Sequence, residues 1–170
     1  MVRDRVSRPR HLVPPGDVVK VAGKTAPSVP DRATPLDHEG QTLRERASAA
    51  MERAYAPYSG FRVGAALLAS DGSITEGCNV ENAAYSVGIC AERAALAGAV
   101  ARGVRGFRAI TIVTSAGEPT PPCGMCRQAL IEFSPDLEIV SVTRGGKEAR
   151  WMLADLLPHA FTPHSLDRTE

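Results

Sequence analysis

Two short stretches constrain this chain more than any others, because each puts a thiol at the start of a helical pattern. Cys123-Gly-Met-Cys126 follows Pro121-Pro122 and precedes an apolar helical run. Cys90-Ala91-Glu92 opens an alanine-rich segment. A C-x-x-C at a helix start lets both sulfurs point past the helix end, where unpaired N–H groups favour thiolates. That suits a metal ion or a redox couple. A redox couple leaves Cys90 without a part to play. Three thiolates from two helix starts can converge on one zinc ion, provided the fold brings the two starts side by side. The remaining cysteine is Cys78. Were it a fourth ligand, the site would be closed and structural; without it, one corner of the tetrahedron stays open for catalysis. No apolar run follows the charged first residues, so no secretory signal and no disulfides are expected.

Glu92 is the second clue. One carboxylate beside a three-thiol set is placed to pass protons to and from a zinc-bound water. Without the thiols it would read as a first-turn acid favoured by the helix dipole.

The remaining pattern describes the scaffold. Gln41–Ala54 carries Leu43, Ala47 and Met51 on one face, an amphipathic helix that stops before Pro57. Phe61–Ser70 and Ser73–Val80 flank Asp71-Gly72, and predict an antiparallel hairpin. Cys90–Arg102 is a predicted helix with Gly103 at its C-terminal cap. Arg108–Thr114 and Leu137–Thr143 read as strands, and Cys123–Phe133 as the helix between them. Glu148–Leu153 reads as a short last strand, and Leu153–Leu157 as the start of a terminal helix. Two strands followed by alternating helix and strand predict an α/β protein, a mixed sheet covered by helices. The helix from Cys90 is apolar almost all round, so burial on a second side, by another subunit, is expected.

Charge is uneven along the chain. Through Pro35 there are seven Lys/Arg and three Asp/Glu, a net of +4; the remainder has thirteen and sixteen, a net of −3. Six of the thirteen prolines lie in that opening. Residues 1–36 are therefore expected to be a flexible basic arm, and 37–170 the folded domain. The acidic body argues against a dedicated nucleic-acid surface. No stretch approaches about 18 consecutive apolar residues, so no bilayer span is expected and the cytoplasm is the expected location. His11, His38, His159 and His164 show no ligand spacing.

Four stretches carry a resemblance: "YSGFRVGAALL" (58–68), "CNVENAAYSVGICAERAAL" (78–96), "PCGMCRQALIEF" (122–133) and "LLPHAFTPHSL" (156–166). Together they resemble the cytidine deaminases of the small, three-cysteine, homotetrameric type, over residues 41–166. The resemblance implies a three-layer α-β-α sandwich around a mixed five-stranded sheet, and one Zn²⁺ per subunit. It implies hydrolytic deamination of free cytidine and 2′-deoxycytidine, with release of ammonia, in pyrimidine salvage. It assigns Cys90, Cys123 and Cys126 as zinc ligands, Glu92 as general acid/base, and Arg93 as the cation that offsets the excess thiolate charge.

Asn79 and Glu81 are expected to hold ribose hydroxyls. A pair that reads hydroxyls disfavours a free base or a polynucleotide. The resemblance assigns Phe61 to stack on the pyrimidine, and the Ala91 N–H and Pro121 carbonyl to contact the ring edge. Pro121 stands where the family places a small hydroxyl residue, but a carbonyl suffices. Ala83, Tyr85 and Phe161 are expected to reach a neighbouring subunit's site, although the ending "FTPHSLDRTE" departs from the family's usual one. Four alternatives stay open: a deaminase of another nucleoside-like small molecule, a structural zinc module closed by all four cysteines, a thiol redox protein cycling through Cys123 and Cys126, and a deaminase acting on polynucleotides through the basic arm.

Overall fold

The computed structural model describes residues 37–166, and the side chains of all of these but Asp37 and His164. The expected arm, residues 1–36 with His11, lies outside the described residues. The elements are α1 (Asp37–Glu52), β1 (Val63–Ala69), β2 (Ile74–Cys78), α2 (Ala91–Ala101), β3 (Phe107–Thr114), α3 (Gly124–Ile131), β4 (Glu138–Thr143), β5 (Glu148–Met152) and the single-turn α4 (Leu153–Leu156). Short 3₁₀ turns at Tyr85–Val87 and Pro163–Leu166 were not foreseen in the sequence. None of the described helices is long and apolar enough to cross a membrane.

Five strands form one sheet in the order β2-β1-β3-β4-β5. The β3–β4 pair is parallel and the other three are antiparallel, so the sheet is mixed. Alternation along the strands sorts the core onto two faces. Ala66, Leu68, Ala109, Val113, Val140 and Val142 pack against Leu43, Ala47 and Met51 of α1. Ala65, Leu67, Ile110, Ile112 and Ile139 pack with Ala95 and Leu96 of α2 and Leu130 of α3 on the other. The result is the three-layer α-β-α sandwich, with α2 and α3 on the same side.

Two backbone devices set α2. Gly77 in β2 lies directly under its first turns: a Cβ there would collide with the Ala91 carbonyl oxygen and the Ala95 nitrogen. A side chain at 77 would push the start of α2 off the sheet. At the far end Gly103 has φ +88°, its N–H bonds to Val100 O, and Val104 N–H bonds to Ala99 O. That is a left-handed helix stop, for which glycine is suited.

The hairpin turns at Asp71-Gly72 as expected, with Ser73 N–H donating to Asp71 Oδ1. The β2 strand ends earlier than expected, at Cys78. Beyond it the Asn79 side chain continues the ladder: its Oδ1 accepts from Val63 N–H at 2.8 Å and its Nδ2 donates to Phe61 O at 2.8 Å.

Candidate metal centre

Cys90 and Cys123 are the N-cap residues of α2 and α3, and Cys126 lies in the first turn of α3. Neither N-cap side chain caps its own helix. Both are free to point beyond the helix ends, where the unpaired N–H groups and the two dipoles favour negative charge. The three sulfurs lie within 4.8 Å of one another, with Cys90–Cys123 at 3.9 Å and Cys123–Cys126 at 3.4 Å. A tetrahedral zinc with Zn–S bonds of about 2.3 Å requires sulfurs about 3.8 Å apart. The cluster fits that ion with only small adjustment.

The charge state makes the same point. The Cys90 thiol is pulled down to about 5, chiefly by a hydrogen bond from Cys126 and then by Arg93, against the cost of burial. Cys126 is pushed up because it shares its proton with Cys90 and is buried. One thiolate forms readily and opposes the next. A cation in the cluster removes that opposition, because soft thiolate ligands bind zinc as anions.

Cys78 stands outside this cluster. Its thiol faces the Arg53 carbonyl oxygen at 3.7 Å, and the ligand group consists of Cys90, Cys123 and Cys126. The structural site closed by four cysteines is not formed.

Glu92 is 5% exposed, in the first turn of α2 between Ala91 and Arg93. Burial pushes its carboxyl above the ordinary glutamate value, and the thiolate charge at Cys90 adds to that. Its own backbone N–H, Cys126 and Arg93 oppose the rise. A carboxyl tuned upward by burial holds a proton it has taken more readily than a free glutamate, as a group that passes protons on requires. Arg93 donates to Cys90 Sγ at 3.9 Å and Gly88 O at 3.4 Å. Desolvation opposes its charge, yet its hydrogen bonds to Cys90 and Cys126 outweigh this and raise its pKa. Its Nε is buried and has no hydrogen-bond partner among the described residues.

A second group of expected residues lies on the loops around β1 and β2. Asn79 and Glu81 both turn toward residues 58–63. Glu81 accepts from the Tyr58 N–H at 2.8 Å, the Ser59 N–H at 3.2 Å and the Ser59 hydroxyl. The Ser59 hydroxyl and then the Tyr58 amide hold its carboxyl below the ordinary value. Phe61, 38% exposed, follows directly, with its N–H donating to Ser59 Oγ and its carbonyl held by Asn79. Asn79, Glu81 and Phe61 thus form one hydrogen-bonded unit.

Ala83 and Tyr85 lie in an exposed loop; the Tyr85 ring meets that of Tyr58 edge-on at 6.0 Å. Ala91 is buried, Pro121 is exposed, and Phe161 is exposed on the segment after α4. His38 and His159 are exposed and apart from the thiols. Two residues with evident structural work were not singled out in the sequence: Ser59, which holds Glu81, and Gln128 of α3, which hydrogen-bonds Phe161. Ser59 had a signal in its position before Gly60, a glycine at φ +70° that marks a turn. Gln128 had none.

Thiols gathered at two helix starts, beside a buried acid and over a mixed sheet, define a zinc-dependent hydrolase. Residues 37–142 match the family model described as the cytidine and deoxycytidylate deaminase zinc-binding region. The chain is 48% identical to a cytidine deaminase of Sporosarcina psychrophila, over 69% of this chain and 87% of that one. It is 44% identical to a cytidine deaminase of Halalkalibacterium halodurans, over 75% and 97%. Among solved structures, the cytidine deaminase of Burkholderia pseudomallei is 50% identical, with a TM-score of 0.69 over 71% of this chain and 98% of that one. The chain belongs to the cytidine deaminase family, and is a zinc-dependent deaminase of the three-cysteine type.

Proposed function

We propose that the protein hydrolyses free cytidine and 2′-deoxycytidine to uridine and 2′-deoxyuridine, releasing ammonia, in pyrimidine salvage. The observation that carries this reading is Glu92, buried beside three thiols in a chain similar to cytidine deaminases along most of its folded length. Cys90, Cys123 and Cys126 would hold the zinc, which supplies, when bound, a Lewis acid that makes water acidic near neutral pH. Glu92 takes a proton from the water whose oxygen bonds to ring C4, and delivers it to ring N3. It then moves the water's second proton to the amino nitrogen, which leaves as ammonia. Arg93 donates to the Cys90 sulfur and offsets the excess thiolate charge.

Phe61 stacks on the pyrimidine, while the Ala91 N–H and Pro121 carbonyl orient its edge. Asn79 and Glu81 hold the ribose hydroxyls. In this reading no residue is assigned to the 2′-hydroxyl alone, so both nucleosides react. The catalytic domain is residues 37–170, working in the cytoplasm as a homotetramer in which Ala83, Tyr85 and Phe161 reach a neighbouring copy's site. Support for assembly comes from exposed apolar side chains at Tyr55, Tyr58, Val80, Tyr85 and Val87, around the same loops. Such a set is more than scattered surface residues require.

The test is Glu92→Gln. It should keep zinc and lose cytidine turnover by a factor of about 10²–10⁴. Full turnover in that variant would refute the assignment.

A further inference from the structure

Gln128 lies on α3, two residues past the thiol of Cys126, and its side chain is directed elsewhere. Its Nε2 donates to the Phe161 carbonyl oxygen at 2.7 Å, and its Oε1 accepts from the Phe161 N–H at 3.3 Å. The two opposed bonds fix the amide's orientation: flipped, it would set donor against donor and acceptor against acceptor. Among the described residues, these are the hydrogen bonds of the Phe161 backbone.

The segment from Leu157 to Thr162 joins no strand and no helix. Its other anchors lie at its ends and on the core: Leu157 N–H bonds to Leu153 O at 3.0 Å, Thr162 N–H to Ser165 Oγ at 3.3 Å, Arg127 Nη1 holds the preceding Leu156 O at 2.5 Å, and Leu157 and Ala160 pack on the core. The Phe161 ring is nevertheless 59% exposed. A pinned backbone with a free ring is the geometry of a side chain presented outward, not of one filling a core.

We propose that Gln128 is a positioning residue for Phe161. The helix that carries two of the three thiols also sets, through this amide, where the ring stands. In an assembly of copies, the aromatic contact each site receives is placed by the neighbour's α3. This rests on the reading of Phe161 as a contact to the nucleoside in a neighbouring copy's site.

The experiment uses the full-length zinc-loaded enzyme with cytidine, comparing wild type, Gln128→Met, Phe161→Ala and the double variant. Gln128→Met keeps side-chain length but removes both bonds. It should raise KM roughly five- to tenfold, as expected for two lost hydrogen bonds. The zinc content should stay at wild type and kcat should stay within about twofold. Adding Phe161→Ala to it should change little more, because the two act through one contact. Gln128→Glu, which keeps the acceptor for the N–H and loses the donor to the carbonyl, should also raise KM and serves should the Met variant fail to load zinc. If Phe161→Ala raises KM while neither Gln128 variant does, the Gln128 proposal fails and the Phe161 reading stands. If Phe161→Ala leaves KM unchanged, the Phe161 reading fails and takes the proposal with it. Fully additive effects would show Gln128 acting independently of Phe161, and also overturn the proposal.

Discussion

Gly77→Ala tests whether the metal centre depends on how closely α2 lies on β2. The added Cβ would collide with Ala91 O and Ala95 N and lie 3.1 Å from the Ala94 carbonyl carbon. All three are helix backbone atoms, which cannot rotate away. Ordinary van der Waals separation therefore requires the start of α2 to withdraw by about an ångström, a strain of the overpacking kind that costs about 1–3 kcal/mol. For a chain of this size that lowers Tm by roughly 3–10 °C. Ala91, whose carbonyl is struck, follows Cys90 directly, so the thiol moves with it. A displacement of about 1 Å is a large fraction of a Zn–S bond of about 2.3 Å. Zinc affinity should fall by at least about tenfold, beyond what the loss of stability explains. Thermal unfolding and chelator competition measure the two effects. Gly117→Ala, where a Cβ meets nothing within 4 Å, is the control and should change neither. A Gly77→Ala protein with wild-type Tm and wild-type zinc affinity would refute the reasoning.

The other expectations are more local. Cys78→Ala should keep one zinc per chain and full turnover by metal analysis and activity, since its thiol faces Arg53 O and not the cluster; metal loss would restore the four-cysteine site. Arg93→Ala should weaken zinc binding about 10–100-fold by chelator competition, and unchanged affinity would remove Arg93 from the centre. Glu81 is held below the ordinary glutamate value of 4.5, mainly by the Ser59 hydroxyl. Its stabilising contribution is thus present above that value and lost only as pH falls through the lowered one. Amide resonances of Tyr58 and Ser59 should stay constant from pH 7 down to the ordinary value and shift below it. A shift centred at or above that value would show that the tether does not hold the charge.

Much of the centre was legible because its chemistry dictates residue types. Only cysteine supplies a thiolate, and two helix starts with three of them leave few arrangements. Gly103 was legible as a helix stop for a similar reason, since a left-handed residue favours glycine. The end of β2 is not legible in the sequence because Asn79 replaces a ladder bond with its side-chain amide, which alternation of residue types does not encode. The parallel β3–β4 pairing was legible in the pattern as well, because a helical crossover, α3, joins the two strands. Gln128 looked like any half-solvated helix residue; its partner is 33 positions along the chain. Glu81 was read as a hydroxyl holder, and its hold on Ser59 became visible only when the loop was seen folded against it.

The most direct measurement follows zinc and cytidine turnover in one sample through chelation and zinc readdition. The account predicts one zinc per chain, turnover that falls as zinc is removed, and turnover that returns with it. Undiminished turnover by zinc-free protein, or no zinc uptake with Cys90, Cys123 and Cys126 intact and reduced, would contradict it.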